Sequence, residues 1–102
     1  MPILTPEESA DVLGYDNPEE MPGDVEKILL PGIAGFLKNA TGKDWASGEE
    51  IDPDAKMAAR VLLRRWFDNP GMVGETTDIG LMSLIGQLHA KALQERQAAG
   101  NE

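Results

Sequence analysis

Residues 36–45 read FLKNATGKDW, and residues 55–70 read AKMAARVLLRRWFDNP. The first stretch ends an apolar pattern of helical spacing at Gly42, and glycine in that place is typical of a helix end. The second stretch follows Asp52 and Pro53, which stand in the order expected at the start of a helix. An Asn-Pro pair then ends its apolar pattern. The two stretches therefore predict two long helices joined by a turn and a polar loop.

Two further helices are predicted from their ends and their spacing. Thr5, Pro6 and Glu8 form a capping-box start for a short first helix, which Gly14 ends. Asp78 is expected to cap the last helix, in which apolar residues fall in two neighbouring stripes. One stripe contains Leu81, Leu84, Ile85, Leu88 and Ala92, and the other contains Met82, His89 and Leu93. With no strand-like alternation in the chain, the predicted fold is all-α, a small bundle of three main helices plus a short N-terminal helix.

The first long helix carries a proline near its middle. Asp24 is its expected N-cap, and Pro31-Gly32 interrupts the apolar pattern that runs to Gly42. Proline inside a helix removes a hydrogen bond and crowds the preceding turn, at a cost of about 3 kcal/mol. We therefore expect a kink or a break there. The small residues at 32, 34 and 35 would allow another helix to approach closely.

Length and charge narrow the functional classes. The chain has 102 residues, no cysteine and a net charge of −9, which fits one domain, residues 1–102, in a reducing compartment. Residues 1–54 carry thirteen acidic and three basic side chains, whereas residues 55–102 carry five acidic and six basic ones. Such a surface does not favour clamping DNA phosphates. No apolar run approaches the roughly 18 residues of a membrane span, so no membrane partner is expected.

Catalytic and ligand-binding motifs are not evident. The carboxylates sit in polar runs, which are typical of a solvated face rather than of acid–base catalysis. Gly42-Lys43 lacks the first glycine of a phosphate loop, and Asp44 replaces its Ser or Thr. His89 is the single histidine and has no second ligand nearby, so it is expected to pack at a helix flank or subunit contact. The sequence therefore predicts neither an enzyme nor a cofactor or metal site.

One charged pattern has two interpretations. Lys56, Arg60 and Arg64 follow one another at intervals of four, with Arg65 adjacent, and form a basic stripe along the second long helix. The stripe could be a solvated face paired with local carboxylates such as Asp68. It could instead bind the acidic half of a neighbouring copy in a head-to-tail contact that closes a ring. The apolar residues left over after the bundle is formed favour the second interpretation, and they include Met72, Val73, Met82 and Leu93.

The order of helices and turns over residues 3–88 resembles the small head–tail connector, or adaptor, proteins of tailed bacteriophages and prophages. The resemblance rests on the turn between the two long helices and on the end of the second one. The matching turn residues are Thr41, Gly42, Lys43 and Trp45, and the matching helix-end residues are Trp66, Phe67 and Asn69. In that family these positions are structural and carry no catalysis.

The resemblance implies a helical subunit that forms a homo-oligomeric ring beneath the portal protein of the filled capsid. Such a ring extends the DNA channel and presents a docking surface to the next tail-side connector or stopper protein. DNA would only pass through it, and an acidic wall would let the genome pass without sticking. The protein would be made in the host bacterial cytoplasm and end in the virion at the head–tail junction. Residues 94–102 are expected to be a flexible tail that orders on the portal or on a neighbour.

A second function fits the charge equally well. An acidic decoy that imitates DNA, or that binds a basic regulator, would also need a surplus of carboxylates. A decoy should act as a monomer or dimer, whereas a connector forms a ring of many copies. The sequence leaves both functions open.

Overall fold

The computed structural model describes residues 2–46, 50–69, 71 and 79–100, with side chains described as far as Gln97. The described residues form four α-helices, and the predicted all-α bundle is confirmed. Their bounds are Pro6–Leu13 for α1, Leu30–Thr41 for α2, Pro53–Asp68 for α3 and Ile79–Gly100 for α4. A short 3₁₀ turn, Pro18–Glu20, lies between α1 and α2.

The helix ends follow the predicted local chemistry. The Thr5 backbone N–H donates to the Glu8 carboxylate at 2.9 Å, and the Glu8 N–H donates to the Thr5 hydroxyl at 3.1 Å, which completes the capping box. Asp52 caps α3 by accepting from the Asp54 N–H at 2.7 Å. Gly14 and Gly42 end α1 and α2, each in the left-handed conformation with φ of 81°.

The predicted cap at Asp24 is wrong. The backbone of Asp24 is already helical, with φ of −63° and ψ of −25°, and its side chain makes no capping hydrogen bond. The helical turn begins earlier, because the Val25 N–H donates to the Pro22 carbonyl at 3.1 Å. The predicted cap at Asp78 lies outside the described residues.

Pro31 does not break the helix. Residues Val25–Leu29 form a π-helical turn that leads directly into α2, and Leu29 and Leu30 both keep helical dihedral angles. The Leu30 N–H donates to the Val25 carbonyl, five residues earlier, as the wider π turn requires. The wider turn leaves space for the proline ring, which would clash with the preceding turn of a regular α-helix. The expected interruption is therefore a local change from α-helical to π-helical geometry.

Helix α3 lies at the centre of the bundle and contacts α1, α2, α4 and the π-helical turn. Its buried side chains are Ala55, Ala58, Ala59, Leu62, Leu63 and Trp66. The Trp66 ring packs edge-on against Phe36, with the two ring centroids 5.6 Å apart. A Cβ added at Gly32 would lie 3.8 Å from the same ring, an ordinary contact distance, and one added at Gly35 would meet no atom within 4 Å, so neither glycine is required by a close approach of α3.

The last helix packs through the first of its two predicted stripes. Leu81, Leu88 and Ala92 are buried, and Leu84 and Ile85 are partly buried. The structure continues α4 to Gly100 and gives Glu95 and Arg96 contacts with the turn after α2. The tail predicted from residue 94 thus begins as helix, while its mobility in solution stays a prediction.

The two helix-ending glycines allow a matched test of the contact between that turn and α4. Alanine at Gly14 would meet no atom within 4 Å, whereas a Cβ at Gly42 would lie 2.5 Å from the Arg96 guanidinium. Gly14→Ala should cost only the left-handed backbone penalty of about 1–2 kcal/mol. Gly42→Ala should cost more, because Arg96 must also move. Urea unfolding of both variants measures the difference, and equal losses would show that the Arg96 contact contributes nothing.

Candidate assembly surface

The turn between α2 and α3 is built around one buried hydroxyl. The Thr41 Oγ1 donates to the Leu37 carbonyl at 2.7 Å and accepts from the Trp45 indole N–H at 2.8 Å. Trp45 is buried, so its N–H would otherwise have no water to bind. The Lys43 backbone N–H donates to the same hydroxyl at 3.3 Å. A single oxygen therefore joins the end of α2 to the residues that follow it.

Helix α4 closes over this turn with two polar contacts. The Lys43 ammonium binds the Glu95 carboxylate at 2.7 Å and lies 4.5 Å from the centre of the Trp45 ring. The Arg96 guanidinium donates to the Thr41 carbonyl at 3.2 Å. The turn residues on which the connector resemblance rests are thus engaged within the chain and act as structural residues.

Removing the Thr41 hydroxyl should destabilise the fold. Thr41→Val keeps the shape of the side chain but leaves the buried Trp45 N–H without an acceptor, at a cost of about 1–3 kcal/mol. Thr41→Ser keeps the hydroxyl and serves as the control, with a smaller loss from the missing methyl group. Thermal unfolding followed by circular dichroism compares them. A valine variant as stable as the serine variant would contradict the structural role of the hydroxyl.

Side chains of the basic stripe form ion pairs with carboxylates of the same chain. Lys56 and Arg60 on α3 both bind Glu8 on α1, at 2.9 and 3.3 Å. Arg64 binds Asp68 one turn later at 3.0 Å, as the local-pairing interpretation predicts. The stripe therefore links α1 to α3 in the single chain. Arg60 and Arg64 remain half exposed and Arg65 is exposed, so a further contact with a neighbouring copy stays a prediction.

Glu8 is the acidic partner that the sequence pattern did not reveal. The capping box uses only one carboxylate oxygen of Glu8, which leaves the other oxygen available for an ion pair. A capping-box glutamate in the sequence is therefore a signal that could have indicated such a partner. The Thr5 backbone N–H, with help from the Lys56 ammonium, lowers the pKa of Glu8 from 4.5 to about 2, although burial acts in the opposite direction. Glu8 is therefore ionised over the whole physiological range and holds α1 on α3.

The ion pairs of Glu8 should give the fold a specific acid sensitivity. Because the folded pKa is the lower one, the stabilisation is complete above pH 4.5 and is lost as the pH falls towards about 2. Glu8→Gln keeps the capping box but removes the charge, and should cost about 1–2 kcal/mol at pH 7. The exposed neighbour Glu7→Gln is the control.

Unfolding titrations of these two variants and the wild type, repeated from pH 7 to pH 2, measure the effect. The difference in free energy of unfolding between the wild type and Glu8→Gln should shrink as the pH falls from 7 to 2. If that difference in free energy of unfolding does not change with pH, the proposed role of the Glu8 charge is contradicted.

A second ion cluster attaches α4 to the start of α3. The Lys91 ammonium lies 3.3 Å from Asp52 and 2.7 Å from Asp54. Burial raises the pKa of Asp52, but the Asp54 backbone N–H and Lys91 outweigh it and leave that pKa below its usual value. The carboxylates of Asp54 and Asp52 in turn raise the pKa of Lys91. The Asp52 and Asp54 carboxylates therefore hold the start of α3 and the middle of α4 together.

The second stripe of α4 remains on the surface. Met82 is 55% exposed and Leu93 is 40% exposed, and Gly86 and His89 between them are also exposed. We call these four residues the α4 outer face. A helix that is apolar on two sides is typically buried on both. The structure therefore brings together three predicted interface residues, Met82, His89 and Leu93, while Met72 and Val73 lie outside the described residues.

The predicted residues at the end of α3 are structural. Trp66 is buried, and Phe67 packs edge-on against Tyr15 with the ring centroids 6.4 Å apart. Asn69 ends α3, and its backbone and side-chain N–H groups donate to the Arg65 carbonyl at 2.9 and 3.1 Å.

The described part of the chain offers few groups that could bind a metal ion or a small molecule. No group of three or more His, Asp or Glu side chains there could hold a metal ion, and no helix there is long and apolar enough to cross a membrane. An open cleft beside the start of α3 is lined by three prolines, Ile51 and the polar residues Thr5, Glu50 and Lys56. Thr5 and Lys56 already bind Glu8. The cleft thus offers few polar groups for a substrate.

Comparison with known proteins gives no relative. No family model, no curated protein and no solved structure matches the chain.

Proposed function

We propose that this chain is a structural assembly protein, without catalytic activity, that forms a ring adaptor between a phage portal and the next tail-side component. The α4 outer face is the observation that carries the proposal. It presents Met82 and Leu93 to solvent on a helix that is attached to the bundle at Lys91, Glu95 and Arg96. An apolar surface held in a fixed position is suited to a macromolecular contact.

The acidic surface supports the same role. Seven exposed carboxylates occur between α1 and the π-helical turn: Glu7, Asp11, Asp16, Glu19, Glu20, Asp24 and Glu26. If this surface lines a channel, it repels DNA phosphates and lets the genome pass. DNA is then cargo, and the protein partners are the portal, further copies of this chain and the downstream connector or stopper. The site of action would be the head–tail junction of the virion.

The same seven carboxylates favour a second candidate function. All seven are exposed within residues 7–26, and an inhibitor of a basic DNA-binding protein would need such a surplus of exposed carboxylates. In that case the chain would act as a monomer or dimer and would bind its basic partner in a salt-sensitive manner.

Assembly with a portal separates the two functions. We expect the wild-type chain, mixed with the portal protein encoded in the same genome, to form a ring of many copies visible by electron microscopy and native mass spectrometry. Leu93→Lys should reduce incorporation at least tenfold, because it places a charge in a contact that must lose its water. Met57→Lys, which adds the same charge at an even more exposed position on α3, should assemble normally.

A chain that never joins the portal, but forms a 1:1 complex with a basic DNA-binding protein, would contradict the connector role. Equal incorporation of the two lysine variants would show that the α4 outer face is not the contact surface.

A further inference from the structure

The α4 outer face has a regular geometry. Met82, Gly86, His89 and Leu93 follow at intervals of four, three and four residues, so they lie along one side of the helix. At a rise of 1.5 Å per residue the row is about 16 Å long. Between residues 79 and 94 the only fully charged side chain is Lys91, and it is engaged by Asp52 and Asp54. The face itself therefore carries no carboxylate, lysine or arginine.

We propose that, in the free protein, this face binds the same face of a second copy, with the two α4 helices antiparallel about a two-fold axis between residues 87 and 88. Antiparallel pairing in this register places Met82 opposite Leu93 of the second copy. It also places Gly86 opposite His89 of the second copy. Each contact occurs twice, as a two-fold interface requires.

The sizes of the paired residues are complementary. No atom lies within 4 Å of the position that a Cβ on Gly86 would occupy, so the surface there is open. The His89 ring of the second copy fits over this backbone, while the two flanking Met–Leu pairs fill the ends of the contact. A glycine at the centre allows the helix axes to approach to the 8–10 Å or so that is typical of packed helices.

Electrostatics favours this face over the other exposed surfaces. Two copies of net charge −9 repel one another, and the exposed carboxylates between Glu7 and Glu26 make contact through that part of the chain costly. Another apolar surface surrounds Ile28 beside Phe67, but Asp24 lies at its edge. The α4 outer face combines exposed apolar area with an absence of like charge, so a second copy can approach there.

The lack of native cysteine permits a direct test of the register. The variants Met82→Cys and Leu93→Cys are purified separately and oxidised alone and as an equal mixture. In the proposed dimer, Met82 of one copy faces Leu93 of the other, but the two copies of residue 82 are about 16 Å apart along the axis. A disulfide needs Cα atoms closer than about 7 Å.

The mixture should therefore form a cross-linked heterodimer in at least tenfold higher yield than either variant alone. Self-linking of Met82→Cys in equal yield would overturn the proposed register. Absence of any cross-link at high protein concentration would overturn the dimer, and it would leave the portal contact of the proposed function to be judged by its own experiment.

A glycine pair supplies a second test that does not depend on cysteine chemistry. Gly86→Leu fills the position on which the two-fold contact depends, whereas Gly35→Leu adds the same side chain on α2, where a Cβ also meets no atom. Sedimentation should show a dimer for the wild type and for Gly35→Leu, and a monomer of unchanged helical content for Gly86→Leu. Dimerisation of Gly86→Leu with wild-type affinity would overturn the proposal.

Discussion

The burial of α3 is the constraint on which the rest of the structure depends. Its buried positions contact α1, α2, α4 and the π-helical turn, so the other elements are arranged around one helix. The alanines near its start let neighbouring helices approach, and Trp66 fills the wider space near its end, where Gly32 and Phe36 of α2 meet it. A chain of this size buries only a modest core, so ion pairs on the surface of α3 add to the attachment of its neighbours. They do so through Glu8, which attaches α1 to Lys56 and Arg60.

Helix α4 connects the architecture to the proposed function. One side of it completes the core, and its polar residues attach it to the start of α3 and to the turn after α2. These attachments fix the direction in which the outer face points. An apolar face on a helix held in this way is presented to a partner without much loss of conformational freedom on binding. Taken together, the two proposals have the same face pair with a second copy before assembly and exchange that copy for a larger partner afterwards.

Local signals in the sequence predicted much of the fold. Thr5 with Glu8, Asp52 with Pro53, and the glycines at 14 and 42 each act within a few residues, and each forms the predicted cap or helix end. Three features escaped prediction for physical reasons. The π-helical turn before Pro31 depends on how the neighbouring residues accommodate the proline ring. Asp24 is not an N-cap because the helical turn begins before it. The partners of Lys56, Lys43 and Lys91 lie 37–52 residues away in sequence, where spacing gives no guidance. The stripe of Met82, His89 and Leu93 was predicted from its spacing, but Gly86 was not part of that prediction, and the partner of this face depends on a second molecule.

Oxidation of methionine measures most directly whether the α4 outer face is covered. Met82 and Met57 are 55% and 56% exposed in the single chain, so dilute peroxide should oxidise them at similar rates if the protein is monomeric. The account predicts that, as protein concentration rises, Met82 becomes protected while Met57 on α3 does not. Mass spectrometry of the oxidised peptides reports both rates from one sample. Equal rates at every concentration, with or without portal, would contradict the claim that this face is an assembly surface.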